Sequence, residues 1–307
     1  MLGNNKNAEH IRIFVLGDHI TPENRNRLKK TVTDYNREFV YIDITPKLEL
    51  IAPYVSIYNS SLTIYSKFFI SDVIHDDRIQ KILFLGSDTI VNGSIEDLFE
   101  MEMENKPIAM AVDCIRNEYK THIGSPLNKP YFSTDVSLID LKKWRELDCT
   151  KMIFDHMKNV RSHYPLGDQD IITCALGDHV SKLDMKYCFL SQCFLFDYKG
   201  ALSVYKLKKE YYYSKDQYEN AKKKPIIYHL CGQTFGRIWF KNSKHPLKAK
   251  WDTYYFASEW RNVPQDNSRM TLPYRLQYFL YKIMPIRLSS LINMLMQRVF
   301  IYLSYKV

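Results

Sequence analysis

The chain has 307 residues, of which 46% are hydrophobic, and a formal net charge of +9 at pH 7. This length and hydrophobic content suit one α/β domain with appendages, and the absence of any repeat argues against a solenoid or a fibrous protein. The six cysteines contain no Cys-x-x-Cys pair. We therefore expect reduced thiols, a cytoplasmic protein and no zinc site.

Local patterns predict an alternation of strands and helices from the N-terminus. Residues 11–20 alternate like a strand, and a helix follows with Thr21 as its N-cap and Pro22 at its first position. A strand in "REFVYIDITP", a helix in "YSKFFISDVI" and a strand in "KILFL" come next. This order predicts a Rossmann-like, mostly parallel sheet with helices on both faces. In such sheets chemistry lies beyond the carboxyl ends of the strands, where Asp88 falls.

The positive charge is concentrated in the C-terminal tail. After Asp266 there is no acidic residue, while Arg and Lys recur through an apolar, aromatic segment. We predict a body over residues 1–262 and an amphipathic tail over residues 263–307 that lies on an anionic membrane surface. A tail helix packed on the body is the alternative. Nucleic-acid binding is disfavoured, because the basic residues lie among aliphatic side chains and no binding module is present.

An ordered set of motifs connects these elements: "FLGSDTIV", "SIEDLFEMEM", "YFSTDVSLIDLKKWREL", "YPLGDQDIITCAL" and "IIYHLCGQTFGRIWF". The set resembles that of the family 8 retaining glycosyltransferases, which include bacterial lipopolysaccharide galactosyl- and glucosyltransferases. The resemblance implies a GT-A fold, a UDP-galactose or UDP-glucose donor and a manganese or magnesium ion. It also implies a lipopolysaccharide or other glycan acceptor, free or lipid-linked, and a peripheral location on the inner face of the cell membrane.

The resemblance assigns a cation site with one ligand missing. The Asp-x-Asp pair of the family matches Gly86 and Asp88, and its third ligand matches His229. With Asp88 and His229 alone we expect weakened cation binding, and we expect Gly86→Asp to strengthen it. Taken in isolation, Asp88 also suits a strand-end turn, and His229 a hydrogen-bonded structural histidine.

The resemblance also assigns a donor site. Asp168 and Gln169 match the two catalytic-site residues, with Asp168 bonding sugar hydroxyls and Gln169 beside the anomeric carbon. The alternative for Asp168 is an acid favoured at a helix N-terminus. The full set of expected donor-binding residues is Lys67, Ser87, Asp88, Ser133, Asp168, Gly232 and Arg237.

Several positions depart from the family pattern. The first strand of the family, which carries the uracil and ribose loop, has no counterpart here. Lys67 stands where arginine is common, Ser133-Thr134-Asp135 replaces Asn-x-Gly, and Cys188 replaces a frequent asparagine. These changes lie at the site and spare the scaffold. They leave a second possibility, a catalytically impaired family member that acts as a glycan-binding or partner subunit.

Overall fold

The computed structural model describes residues 1–55, 61–159, 164–231, 235–267 and 270–285, together with residues 288, 289, 291, 292, 294–296, 299 and 302. The strands are β1 Arg12–Gly17, β2 Glu38–Asp43, β3 Lys81–Leu85, β4 Thr89–Val91, β5 Ile108–Val112, β6 Phe132–Asp140, β7 Val180–Lys182, β8 Phe189–Leu190 and β9 Ile227–His229. The predicted strands at β1, β2 and β3 are therefore present.

The strands described form three sheets, of which two contain both parallel and antiparallel pairs. Their orders are β1-β2, β3-β6-β5-β7 and β4-β9-β8. The predicted parallel pairing occurs at β1–β2, β5–β7 and β8–β9, whereas β6 runs antiparallel to both β3 and β5, and β4 antiparallel to β9. The sheets thus contain fewer parallel pairs than the sequence pattern predicts. In the four-stranded sheet, β6 lies between β3 and β5 and runs opposite to both.

The α-helices are α1 Pro22–Thr33, α2 Thr45–Ile51, α3 Ile70–Val73, α4 Glu96–Phe99, α5 Asn117–His122, α6 Leu141–Glu146, α7 Cys149–Asn159, α8 Asp168–Leu176, α9 Tyr198–Tyr205, α10 Lys215–Lys223, α11 Lys248–Phe256 and α12 Leu272–Ile283. The backbone N–H of Asn24 donates to the Thr21 side chain, which caps α1 as predicted. The helix expected in "YSKFFISDVI" is a 3-10 helix, Leu62–Phe69, that continues into α3.

The core lies around β5 and β6. All five residues of β5 are buried, and Trp144, Phe68 and Phe132 are among the largest fully buried side chains. The six cysteines are free thiols, as the sequence predicted. Within the described residues, no helix has both the length and the apolar content needed to cross a bilayer.

Helix α12 of the predicted tail packs on the body through one face. The rings of Tyr278 and Tyr281 contact Phe235 at centroid distances of 6.2 and 6.0 Å. The Tyr281 hydroxyl donates to the carbonyl of Phe194 at 3.1 Å. Leu272, Leu276, Phe279 and Ile283, which recur at helical spacing, remain exposed. The helix therefore combines a docked aromatic face with an exposed apolar face.

The predicted boundary at residue 263 falls in a segment that is bonded to the body. Lys248 Nζ donates to the side chain of Gln265 at 2.7 Å, and the Lys241 backbone N–H donates to the carbonyl of Asp266 at 2.8 Å. A division into residues 1–262 and 263–307 stays a prediction.

Candidate functional site

Asp88 occupies the turn between β3 and β4, beyond the carboxyl end of β3. The Thr89 hydroxyl donates to the Gly86 carbonyl at 2.8 Å and closes this turn. The Leu230 backbone N–H donates to the Asp88 carbonyl at 2.8 Å. The Asp88 side chain is half-buried, whereas Ser87 is exposed. The sequence thus places one carboxylate where an apolar, half-buried strand ends.

His229 ends β9 and stands next to that turn, because His229 pairs with Thr89 in the antiparallel β4–β9 ladder. Its Nε2 lies 3.6 Å from Asp88 Oδ1 and 3.2 Å from Asp135 Oδ2. Its Nδ1 lies 3.3 Å from the Ser133 hydroxyl oxygen. A hydrogen bond at Nδ1 fixes the ring and leaves Nε2 aimed at the two carboxylates.

Asp88, Asp135 and His229 form a group that suits a divalent cation. One potential ligand atom from each lies within 4.8 Å of the others. Oxygen–cation bonds of about 2.0 to 2.6 Å place ligands on opposite sides of the ion about 4 to 5 Å apart. Carboxylate oxygens are donors that manganese and magnesium sites use, and imidazole is a further donor for first-row divalent metals. The residues present therefore fit the ion that the resemblance implies.

This cluster contains three potential ligands, where the sequence analysis expected two. Asp135 lies on β6, and the Gly86 backbone N–H donates to its carbonyl at 2.7 Å. A Cβ built on Gly86 would lie 2.5 Å from Asp135 Oδ1. The carboxylate absent at Gly86 is thus matched by another from the neighbouring strand. The expected gain from Gly86→Asp no longer follows, since the new side chain would meet Asp135.

The charged groups in the cluster shift one another's pKa values toward the charged forms. Burial by itself would raise the pKa of Asp135, but the nearby His229 and Lys67 hold it below its ordinary range. Burial by itself would lower the pKa of His229, and Cys231 and Asp135 raise it above its ordinary value. Arg237 Nη1 lies 3.6 Å from Asp88 Oδ2, and its side chain is 35% exposed. Arg237 therefore faces the cluster from the solvent side.

A second cluster lies at the start of α8, as the sequence predicted for "GDQD". Gly167 precedes the helix with φ 59°, and a Cβ there would lie 2.8 Å from Ile64 Cδ1, so glycine suits this tight entry. Asp168 Oδ2 accepts a hydrogen bond from the Thr134 hydroxyl at 2.6 Å and forms an ion pair with Lys67. Burial raises the pKa of the Asp168 carboxyl, and Lys67 opposes that rise.

Lys67 contacts Asp168 from the protein interior. Its side chain is 2% exposed, and its ammonium lies 4.8 Å from the centre of the Phe84 ring. It also donates to the Thr134 hydroxyl at 3.2 Å. Lys67 therefore positions Asp168, while the sequence analysis expected it among the donor-contacting residues.

Gln169 is held by a residue that the sequence analysis missed. Gln169 Nε2 donates to Asp113 Oδ2 at 2.7 Å, and Gln192 Nε2 donates to Asp113 Oδ1 at 2.9 Å. Burial raises the pKa of Asp113, against the lowering effect of the bond from Gln169. Asp113 directly follows the buried strand β5, the same signal that drew attention to Asp88 after β3.

Most of the predicted site residues come together, and the others are placed as follows. Asp88, His229 and Arg237 form one group, and Lys67, Asp168 and Ser133 adjoin it through β6. Ser87 is exposed in the turn, and Gly232 lies outside the described residues. Cys188 is buried, and its thiol donates to the Ser133 hydroxyl oxygen at 3.8 Å.

Comparisons with known proteins find relatives that align with most of this chain. General stress protein A of Bacillus subtilis is 21% identical over 266 residues, which cover 86% of this chain and 88% of that protein. Lipopolysaccharide 1,2-glucosyltransferase of Escherichia coli is 23% identical over 275 residues, 86% of this chain and 74% of that protein. The chain spans less than half the length of several glycosyltransferases of Streptococcus pneumoniae that it also matches.

Solved structures and a family model identify the fold and the family. The structure of the galactosyltransferase LgtC, in complex with donor and acceptor sugar analogues, is similar with a TM-score of 0.67 at 21% identity, covering 85% of this chain and 91% of that one. The chain therefore has the GT-A fold. The model described as glycosyl transferase family 8 matches residues 2–236. This chain belongs to glycosyl transferase family 8.

Proposed function

We propose that this chain transfers a hexose, galactose or glucose, from a UDP-sugar to a lipopolysaccharide or another cell-envelope glycan with retention of configuration. One observation carries the proposal. Three consecutive residues of β6 join the two clusters: Ser133 contacts His229, Thr134 contacts Asp168, and Asp135 completes the cation group. A diphosphate site and a sugar site are thereby held next to each other by one strand.

The diphosphate end is built from the cation cluster and Arg237. A divalent cation held by Asp88, Asp135 and His229 would act as a Lewis acid on the negative charge of the departing diphosphate. Arg237 adds a planar, permanently charged group that pairs with phosphate oxygens through two parallel hydrogen bonds. Its partial exposure leaves it accessible to a ligand.

The sugar end is built from Asp168 and Gln169. Lys67 and Thr134 both bond Asp168 Oδ2, so Oδ1 is the oxygen left to accept from sugar hydroxyls. Gln169 Nε2 is committed to Asp113, so its amide oxygen is the group left for the anomeric centre. The interior contacts fix both side chains before any sugar binds, which lowers the cost of orienting the donor.

These side chains favour same-face transfer. Because a neutral amide is a weak nucleophile, Gln169 stabilises an oxocarbenium-like centre rather than forming a bond to it. The acceptor hydroxyl oxygen forms the new bond to the anomeric carbon on the face that UDP leaves. The bond from the anomeric carbon to the diphosphate oxygen breaks, and UDP departs with its electron pair. The acceptor proton passes to that phosphate oxygen.

Calorimetric binding of UDP, with and without Mn²⁺, tests the proposal first. We expect manganese-dependent binding, followed by release of UDP from UDP-galactose or UDP-glucose. No UDP binding under either condition contradicts the proposal. Manganese-dependent UDP binding without any turnover of either sugar nucleotide, with glycan acceptors present, identifies the catalytically impaired alternative.

The exposed face of α12 supports our proposal that the protein lies on the cytoplasmic, inner face of an anionic membrane. Leu276 and Phe279 are more than half exposed in its apolar stripe. Arg275 and Lys282 are exposed on the same helix. An apolar stripe flanked by basic residues suits the boundary between headgroups and acyl chains.

Vesicle sedimentation with Leu276→Ser/Phe279→Ser tests the membrane proposal. We expect at least ten-fold weaker binding to anionic vesicles, about 1.4 kcal/mol, with an unchanged melting temperature. These side chains are exposed, so the double variant is preferable to deletion of α12, which would uncover Phe235. Leu50→Ser/Tyr54→Ser, at two exposed positions elsewhere, is the matched control. Equal binding by the α12 variant and the wild type contradicts the proposal.

A further inference from the structure

Gly86 and Asp135 face each other across two antiparallel strands. Leu85 pairs with Val136 at the end of the β3–β6 ladder, and the next positions along it are Gly86 and Asp135. The Gly86 backbone N–H donates to the Asp135 carbonyl at 2.7 Å. Directly opposite residues in such a ladder project their side chains to the same side of the sheet. A carboxylate on either strand therefore reaches the same region.

The available space allows a side chain on only one of the two strands. A Cβ on Gly86 would lie 2.5 Å from Asp135 Oδ1 and 3.0 Å from both Cβ and Cγ of Asp135. Contacts this short require Asp135 to move. Asp135 is in turn held by His229 Nε2 at 3.2 Å. Gly86 is thus the residue that makes room for the Asp135 carboxylate.

An ion pair with His229 does not account for the whole cluster. His229 Nε2 carries at most one proton, and it lies 3.2 Å from Asp135 Oδ2 and 3.6 Å from Asp88 Oδ1, so one proton cannot serve both carboxylates. The contacts of Asp88 with His229 and Arg237 are both 3.6 Å, which is too long for a hydrogen bond. Among the described residues, the Asp88 side chain accepts no hydrogen bond. A divalent cation between Asp88, Asp135 and His229 would satisfy both carboxylates and replace the proton.

We propose that Asp135 is a cation ligand supplied by β6, and that it stands in for a carboxylate at position 86, with glycine at 86 making this possible. That the ion also binds a diphosphate rests on the proposed function. The replacement of a ligand at position 86 by Asp135 rests only on the residues of this cluster. The ligands then come from three elements, namely the turn after β3, strand β6 and strand β9. The site consequently has its full protein ligand set.

Exchange of the two residues tests the proposal, with Mn²⁺ alone as the probe. Calorimetry and Mn²⁺ electron paramagnetic resonance would compare the wild type, Asp135→Asn, Gly86→Asp and the double variant Gly86→Asp/Asp135→Gly. We expect at least ten-fold weaker Mn²⁺ binding for Asp135→Asn. We expect no gain and a lower melting temperature for Gly86→Asp, and Mn²⁺ affinity within about three-fold of wild type for the double variant. Asp97→Asn, at an exposed acid, is the matched control.

The outcomes separate this proposal from the proposed function. Unchanged Mn²⁺ affinity in Asp135→Asn, with only lower stability, would mean that Asp135 is merely an ion-pair partner of His229 and would overturn the proposal. Tighter Mn²⁺ binding by Gly86→Asp would also overturn it, as would a wild type that binds no Mn²⁺. Loss of Mn²⁺ binding in Asp135→Asn supports it even if no UDP-sugar is turned over. Asp135→Asn keeps the side-chain volume, so this test does not depend on the folding of the double variant.

Discussion

Two histidines are equally buried in this protein and have different neighbours. His229 and His245 are each 5% exposed. His229 lies among Asp88, Asp135 and Arg237, which we call the charged pocket. His245 lies between the rings of Phe194 and Phe235, at centroid distances of 5.8 and 5.3 Å, which we call the aromatic pocket. The Ser191 hydroxyl joins the two pockets, since it donates to the His229 carbonyl at 3.2 Å and accepts from His245 Nε2 at 2.9 Å.

Burial by itself lowers the pKa of both rings, and it is opposed by a nearby carboxylate only at His229. His245 Nδ1 accepts from the Leu247 backbone N–H at 3.1 Å, so a proton there would remove this bond. Burial lowers the pKa of His245 to about 4, whereas the carboxylate side of His229 raises its pKa. A buried ring beside carboxylates has surroundings that favour a positive charge, whether a proton or a metal ion, and a buried ring among aromatics makes a structural contact.

The largest expected effect is a loss of protein stability at acid pH, caused by protonation of the buried His245. Its pKa of about 4 in the folded protein lies below the ordinary value of 6.5, so the unfolded state binds the proton more tightly. The stability it contributes is present above pH 6.5 and is lost as the pH falls through about 4, by about 3 kcal/mol. Urea unfolding at pH 7 and pH 4 should show a shallower pH dependence for His245→Gln than for the wild type. The same pH dependence of stability in His245→Gln and the wild type would contradict a lowered pKa of His245.

The second effect concerns ligand binding and uses each histidine as the control for the other. His229→Gln removes an imidazole from the cation cluster, so we expect manganese-dependent UDP binding to weaken at least a hundred-fold, about 2.7 kcal/mol. His245→Gln should change that affinity less than three-fold. Calorimetry at pH 7 measures both. Equal losses in the two variants would break the distinction between the charged and aromatic pockets.

The third prediction concerns the Ser191 hydroxyl, which joins the two pockets. Ser191→Ala removes two buried hydrogen bonds and leaves the His229 carbonyl without this donor, so we expect the free energy of unfolding to fall by about 2 kcal/mol. The pKa of His245, followed by NMR, should change along with the stability. A variant as stable as the wild type would show that Ser191 does not couple the two sites.

The smallest expected effect tests the solvent side of the charged pocket. Arg237→Lys keeps the charge and loses the planar fork, so we expect about five-fold weaker UDP binding, about 1 kcal/mol. The loss should be smaller for UMP, which lacks the second phosphate. Equal losses for UDP and UMP in parallel titrations would exclude a contact between Arg237 and the terminal phosphate.

Local signals allowed much of the scaffold to be predicted from sequence. Thr21 and Pro22 mark the start of α1, and Gly167 marks the start of α8, because the hydrogen bonds involved join residues close in the chain. The family motifs likewise located Asp88 and His229. These signals do not depend on how distant strands pair.

The partnership of Gly86 with Asp135 could not be predicted in this way. Sequence analysis treated Gly86 as a lost ligand and Asp135 as a departure from the family pattern, because only the register of β3 against β6 brings the two together. Strand register is determined by tertiary packing and turn geometry. Asp113 had the same local signal as Asp88, but its contact with Gln169 depends on the packing of β5 against α8. The mixed direction of the sheet escaped prediction for the same reason.

The ring of Phe235 packs against both the aromatic pocket and helix α12. It contacts His245 in the aromatic pocket and both Tyr278 and Tyr281 of α12. Because α12 packs on Phe235, a rotation of the helix would disturb the contact between Phe235 and His245. If α12 lies on a lipid surface, the charged pocket therefore keeps a fixed orientation and height above that surface. An acceptor embedded in the same leaflet would then meet the donor sugar from one direction.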